Sequence, residues 1–313
     1  MARLRAAVIG AGYLGRFHAQ KYAASDACEL VAVIDVRQDV AQKVAAECGT
    51  SARSDYRTLA GQVDVASVAT TTPQHREIAG WLLEAGVHVL VEKPITTTVA
   101  EANELVALAA AHGLVLQVGH LERFNPALLA AEPLLRAPRF IECHRLAPFR
   151  ERGTDVNVVL DLMIHDIDLL QSVVHSEVVS LDAVGAPVFS GETDIANARL
   201  RFANGCVANV TASRVSMKTE RKMRAFMDEA YLSIDLQQKI LTSIRKRTLA
   251  PGEGGLPVAI DEQSFEQGDA LRAEIDAFLA ACRGERAAAV SGEDGRRALQ
   301  LAIEITERLS RAP

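Results

Sequence analysis

Val8-Ile9-Gly10-Ala11-Gly12-Tyr13-Leu14-Gly15-Arg16-Phe17-His18 is an apolar run that breaks into glycines and resumes as an amphipathic segment. A GxGxxG spacing alone decides little, because glycines end many strands. Its setting decides more. Another β-branched run follows, LVAVID at 30–35, and its last residue, Asp35, stands ~20 residues past the glycines, the spacing of a dinucleotide-binding βαβ unit. In such a unit Gly10 makes the tight turn, Gly12 lets the backbone close on a pyrophosphate and Gly15 lets the helix pack on the strand. The helix N-terminus adds amide donors and a positive dipole end. Asp35 is then placed to accept from ribose hydroxyls.

Outward from this motif the same alternation continues to residue 119. The strands AAVIG (6–10), LVAVID, VASVAT (65–70), VHVLVEK (87–93) and LVLQVG (114–119) are separated by the helical patterns RFHAQKYAAS, VAQKVAAECG, HREIAGWLLEAG and TVAEANELVALAAAHG. Strand and helix in turn predict an α/β fold, a parallel sheet of Rossmann type over residues 1–120. After Pro126 the texture changes to longer alternating runs: RFIECHRLAPF, EVVSLDAVGAPV, ARLRFANGCVANVTASRV, MRAFMDEAYLSIDL and KILTSIRKR. These predict a mostly antiparallel sheet within an α+β domain over 121–268. Asn204-Gly205 reads as a type I′ hairpin turn, which needs positive φ at both residues. One helix, VVLDLMIHDIDLLQSVV, interrupts the sheet. Residues 250–268, rich in Gly, Pro and Glu, read as a loop, and helices over 269–313 are expected to pack back towards the first domain.

Composition narrows the function. The chain has 313 residues, 49% of them hydrophobic, a net charge of -6 and a pI near 5.8. It lacks the concentrated basic face that nucleic acid or a membrane surface would require. Cys28, Cys48, Cys143, Cys206 and Cys282 lie far apart without a CxxC pair, so neither a metal site nor a disulfide framework is expected. With no apolar run of membrane-spanning length and an N-terminus that enters a strand directly, a cytoplasmic protein is expected.

Two stretches carry chemistry. VHVLVEKPI places Glu92, Lys93 and Pro94 just past a strand end, the edge at which wound parallel sheets bind ligands, and a cis Lys93-Pro94 bond suits that position. In NVVLDLMIHDIDLL, Asp161 and His165 stand four apart on one helical face, and Asp168 follows three later. That helix is apolar nearly all round, so a polar pair within it calls for partners or a ligand.

The glycine motif with Asp35, the Glu92-Lys93-Pro94 triplet and the Asp161, His165, Asp168 run, in this order, resemble the family of glucose-fructose oxidoreductase, inositol dehydrogenase and rhizopine-catabolism oxidoreductases (Gfo/Idh/MocA). The resemblance covers nearly the whole chain and implies NAD(P)-dependent oxidation or reduction of a sugar or cyclitol carbon. It also implies that the sheet of 121–268 is open, mostly antiparallel, and serves substrate binding and oligomerisation, with a homodimer or homotetramer built through the sheet faces. The family's catalytic lysine maps onto Lys93, and its carboxylate and histidine onto Asp161 and His165. Thr154-Asp155-Val156-Asn157 stands where many members carry a Gly-Gly pair. GHLERFNPA (119–127) and RGTDVNVVLDLMIHDIDLL (152–170) resemble members that oxidise the 3-position of UDP-linked N-acetylglucosamine; an inositol or other free-sugar dehydrogenase, or a regulator that senses NAD or a sugar without turnover, is the alternative.

On this reading the cofactor meets Gly10, Gly12, Tyr13, Leu14, Gly15, Asp35, Arg37, Thr70, Thr71, His75, Glu92 and Lys93. The substrate meets Lys93, Arg123, Asn125, Arg150, Asn157, Asp161 and His165, with Arg145 and Arg152 as further candidates for a diphosphate. Asp35 repels a 2′-phosphate and Arg37 attracts one, so NAD is expected and NADP stays open. Either His165 or a neutral Lys93 can serve as the base. Of the other histidines, His18 is expected to be structural and His120 to approach the sugar.

Overall fold

The computed structural model describes residues 3–150, 156–249, 255–266 and 268–310, and the chain divides into two compact units, 1–121 with 269–299 and 122–268 with 300–313. The first unit begins with β1 (Leu4–Ile9), α1 (Tyr13–Ala23), β2 (Cys28–Ile34), α2 (Gln38–Cys48), β3 (Ser51–Arg53) and β4 (Val65–Val68). It continues with α3 (His75–Glu84), β5 (His88–Glu92), α4 (Val99–His112) and β6 (Leu116–Gly119). The six strands form one parallel sheet in the order β3-β2-β1-β4-β5-β6, reversing direction between β1 and β4. Strands β4 and β6 are buried throughout, as expected where helices cover both faces of a parallel sheet. α2 and α4 each close on a left-handed glycine, Gly49 and Gly113, and α4 opens on a Thr98–Glu101 capping box. The short strand β3 escapes the pattern of apolar runs because only three residues, none buried, pair with β2.

The second unit contains α5 (Pro126–Ala131), β7 (Phe140–Leu146), α6 (Ile164–Val174), β8 (Val178–Ala186), β9 (Ile195–Phe202) and β10 (Val207–Ser213). The strands β11 (Glu220–Phe226), β12 (Ala230–Asp235), β13 (Ile240–Lys246) and β14 (Val258–Ser264) follow. Its eight-stranded sheet has the order β14-β13-β12-β11-β7-β10-β9-β8, antiparallel except between β7 and β10. Burial alternates residue by residue, so that Ile141, Cys143 and Arg145 of β7 lie on the buried face with Ala208, Val210 and Ala212 of β10.

Two local expectations are corrected here. Residues 258–264 are the edge strand β14 and not part of a loop. It is almost wholly exposed and pairs on one side only, so no apolar period marks it, and Asp261 and Glu262 give it the charge usual at an open edge. The β9–β10 hairpin forms without a type I′ turn. Gly205 alone takes a left-handed φ of 89°, its N–H donates to the Phe202 carbonyl at 3.0 Å, and the Asn204 side chain accepts from the Cys206 N–H. A turn that ends on one left-handed glycine satisfies the strands' twist with a single positive φ.

Two helices end the chain: α7 (Ala270–Cys282), whose Ile275 and Phe278 join Ala19 and Tyr22 of α1 in the core of the first unit, and α8 (Gly292–Ser310). All five cysteines are free; Cys28, Cys143 and Cys206 are buried, and Cys48 and Cys282 half-buried.

Candidate functional site

The carboxyl ends of the first unit's strands gather its candidate residues. Gly10 has φ 92°, and a Cβ there would stand 2.5 Å from the Ala69 carbonyl oxygen; at Gly15 a Cβ would stand 1.7 Å from the Gly10 oxygen. Both glycines are therefore required by packing. Gly12 differs: nothing lies within 4 Å of its missing Cβ, and it opens α1 without any side-chain cap. That leaves backbone N–H groups at a helix start facing open space, the arrangement an anionic diphosphate fits. Tyr13 and Leu14 are exposed beside it.

Asp35 holds this loop. Its Oδ2 accepts from the Ala11 N–H and its Oδ1 from the Arg37 N–H, both at 2.9 Å. Each carboxylate oxygen keeps a further lone pair for a ribose hydroxyl. The Arg37 guanidinium is well exposed, with Nε 3.8 Å from Asp35 Oδ1. Beyond β4, the Thr70 hydroxyl is buried with no partner among the described residues, a second group suited to a ligand, and Thr71 precedes the turn into α3. These residues fit a dinucleotide.

His75, expected beside the cofactor, is buried with its ring between two backbone carbonyls. Nδ1 lies 2.9 Å from the Pro94 carbonyl and Nε2 3.2 Å from that of Thr70, and burial outweighs both contacts to lower its pKa. The neutral ring has one N–H, which suits the shorter contact to Pro94. His75 thus ties the Thr70 loop to the Lys93-Pro94 turn, whose bond is cis. Glu92 also points inward, Oε1 2.9 Å from His18 Nε2. Burial pushes its carboxyl up, but the hydrogen bond from His18 and the charge of Lys93 prevail and leave it below its ordinary range. His120, at the end of β6, is buried.

Glu274 of α7 is wholly buried, and neither carboxylate oxygen has a partner among the described residues. Burial first, then the charge of Glu92, raise its pKa well above the ordinary carboxylate range. The folded protein therefore keeps a proton that the unfolded chain releases above the ordinary value of 4.5, and stability falls as pH rises through that window. Glu274→Gln removes the titration. Its stability relative to the parent should rise by about 1.4 kcal/mol per pH unit from just above pH 4.5 until the folded carboxyl itself ionises. Urea unfolding at pH 5, 6 and 7 measures this; parallel pH dependences would refute a neutral Glu274.

In the second unit, Asn157 opens the helix that carries the dyad. Its Oδ1 accepts from the Val159 and Leu160 N–H groups at 3.1 and 3.0 Å, and its Nδ2 lies 3.5 Å from Thr306 Oγ1, so it caps the helix. The first turn, Val159–Met163, is π-helical and contains Asp161; α6 follows with His165 in its first turn. Such turns recur at functional sites because the wider turn re-aims side chains. Asp161 and His165 are both half-buried.

Three substrate candidates make contacts within the protein. Arg123 forms a bidentate pair with buried Asp168 at 2.7 and 2.8 Å. Arg145, itself buried, pairs through Nε and Nη2 with Asp166 and through Nη1 with Glu122 at 2.9 Å. With their forks committed to buried carboxylates, both arginines anchor α6 from below. Asn125 caps α5, and its Nδ2 donates to the Leu236 carbonyl at 2.7 Å. Sequence reasoning missed Glu122 and Asp166 as members of this cluster; the signal was Asp166 and Asp168 two apart on an otherwise apolar helix. Arg150 is exposed. Arg152, Thr154 and Asp155 lie outside the described residues.

Comparison with known proteins agrees with this arrangement. Residues 4–120 match the model of the oxidoreductase family with an NAD-binding Rossmann fold, GFO_IDH_MocA, and residues 138–233 match the GFO/IDH/MocA C-terminal domain. The chain belongs to the Gfo/Idh/MocA family. It is thus an oxidoreductase with an NAD(P)-binding Rossmann domain. It is 39% identical over 310 residues, 97% of each chain, to the UDP-N-acetylglucosamine 3-dehydrogenase of Acidithiobacillus ferrooxidans. A solved structure of a UDP-N-acetylglucosamine 3-dehydrogenase from the same organism superposes with a TM-score of 0.92 at 38% identity, covering 99% of this chain and 98% of that one. The inositol 2-dehydrogenase of Rhizobium meliloti is 25% identical over 317 residues, 96% of this chain and 94% of its own. No helix among the described residues is long and apolar enough to cross a membrane.

Proposed function

We propose that this chain is an NAD-dependent UDP-N-acetylglucosamine 3-dehydrogenase. The observation that carries the reading is the 39% identity and near-complete coverage to an enzyme of that activity, and the Lys93, Asp161 and His165 motifs of the sequence support it. The diphosphate of the cofactor would rest at Gly12 and the start of α1, its adenosine ribose on Asp35, and Thr70 and Thr71 would line the nicotinamide ribose. When bound, the nicotinamide supplies a hydride acceptor for the carbinol carbon.

His165 takes the proton of the reacting hydroxyl and Asp161 orients its ring. Lys93 donates a hydrogen bond to the same oxygen. The ionised Glu92 next to it favours the ammonium form of Lys93, which supports His165 as the base in this reading. The exposed guanidinium of Arg150 is offered to the substrate's diphosphate. Free thiols accord with a reducing cytoplasm, and a homodimer or homotetramer through the open sheet face is part of the same reading.

The test is NADH formation from NAD and UDP-N-acetylglucosamine, with the product's keto carbon located at C3 by NMR; a keto group elsewhere would discard the regiochemistry. Cofactor choice has its own test. Asp35→Ala should weaken NAD about tenfold or more, the scale of a hydrogen bond to a charged group, and narrow its margin over NADP because a repelling carboxylate is gone. Fluorescence titrations with NADH and NADPH measure both, and an unaltered preference would sink the assignment.

A further inference from the structure

The register of the parallel sheet puts an unusual set of side chains on one buried face. Ser67 lies opposite Leu90, and Leu90 opposite Gln117; two residues on, Glu92 lies opposite Gly119. Alternation along each strand therefore gives Ser67, Glu92, Gln117 and Gly119 a common face, the one that α1 covers with His18 and Tyr22. A Cβ at residue 119 would stand 3.0 Å from Glu92 Oε2, so the glycine leaves room for that carboxylate.

Hydrogen-bond contacts run through this layer without a break. His18 Nε2 lies 2.9 Å from Glu92 Oε1, His18 Nδ1 lies 3.1 Å from Ser67 Oγ, and Ser67 Oγ lies 2.9 Å from the Tyr22 hydroxyl. A neutral His18 that donates to Glu92 must accept at its other nitrogen. Tyr22 then donates to Ser67, Ser67 to His18, and His18 to the carboxylate. Each donor in such a chain polarises the next, and only its last acceptor carries charge. Tyr22, Ser67 and His18 are all buried, so the chain has no open end through which a proton leaves.

We infer that His18 is a positioning residue: its hydrogen bond to Glu92 anchors the turn that carries Lys93 and fixes a carboxylate charge beside that lysine. The inference rests on the catalytic reading of Lys93. The titratable groups around Glu92 are His18 and Tyr22 on α1, His75 on α3, Lys93 next in the chain and Glu274 on α7. Glu274 is the neutral member of the two carboxyls, which leaves Glu92 as the charged one. Without His18 the buried Glu92 has lost its donor and takes up a proton, and Lys93 loses its adjacent negative charge.

His18→Leu removes the donor at similar bulk, and His18→Gln keeps an N–H within reach of Glu92. For His18→Leu the expected result is a kcat about tenfold lower, with NADH affinity within about twofold of the parent and the alkaline limb of the kcat–pH profile moved about one unit to lower pH, the scale of losing a neighbouring charge. His18→Gln should recover most of the rate and the original limb. Ser67→Ala, a milder change in the same chain, should move the limb in the same direction by less. Turnover and a pH profile like the parent's in His18→Leu would overturn the inference. So would an equal loss at every pH with NADH affinity falling in step, because packing alone would do that. Lys93→Met, assayed in parallel, separates the two claims: if it keeps near-normal turnover the reading of Lys93 fails, whereas its inactivity beside an unaffected His18→Leu removes only the positioning role.

Discussion

His165→Ala and Lys93→Met are each expected to lower kcat by roughly 10²-fold or more, the usual scale for removing an acid-base group, while NADH still binds. The two losses should differ in their pH dependence. Without His165 the base is gone and the rate should climb with hydroxide towards alkaline pH. Without Lys93 the base remains but the developing alkoxide has lost its hydrogen-bond donor, so the rate should fall without a change in the acidic limb. Asp161→Asn should fall between, since His165 keeps its place and loses its orienting charge. Initial rates across pH 6 to 10, with NADH affinity from fluorescence, check all three. Near-normal turnover of His165→Ala across that range would remove it as base and return the role to Lys93.

Much of this site was legible in the sequence because its parts are local. A glycine motif, a strand-end carboxylate and a Glu-Lys-Pro triplet each depend on a few consecutive residues and the strand before them, so the parallel sheet and its ligand edge could be placed from periodicity and punctuation. The contacts that the sequence did not show depend on distant partners. Arg123 and Arg145 look like phosphate binders along the chain, yet Asp168 and Asp166 reach them only after α6 has folded against β7. His75 sits after a promising loop, yet its ring faces two backbone carbonyls. β14 was hidden for another reason: an edge strand held by main-chain bonds needs no apolar period. The π turn at Val159–Met163 left no mark either, since its residues are as apolar as those of the α-helix that follows.

The largest difference between substrates should come from the nucleotide. If the reading is right, free N-acetylglucosamine and myo-inositol should each be turned over at least about 10²-fold more slowly, in kcat/KM, than UDP-N-acetylglucosamine at equal concentration. The diphosphate offers two charged groups that an exposed guanidinium such as Arg150 can engage, and each charge-assisted contact contributes more than a neutral one. Binding energy far from the reacting carbon also holds that carbon over the nicotinamide, so losing the handle should reduce kcat and not only raise KM. Arg150→Ala should then penalise the UDP-sugar selectively and leave the small residual rate on the free sugar unchanged, because only one of the two presents a diphosphate. That selectivity separates a binding arginine from a surface one. Fastest turnover of the free sugar or the cyclitol would withdraw the UDP-sugar reading while leaving family membership intact, and an Arg150→Ala variant that handles both sugars as the parent does would move the diphosphate contact to other residues.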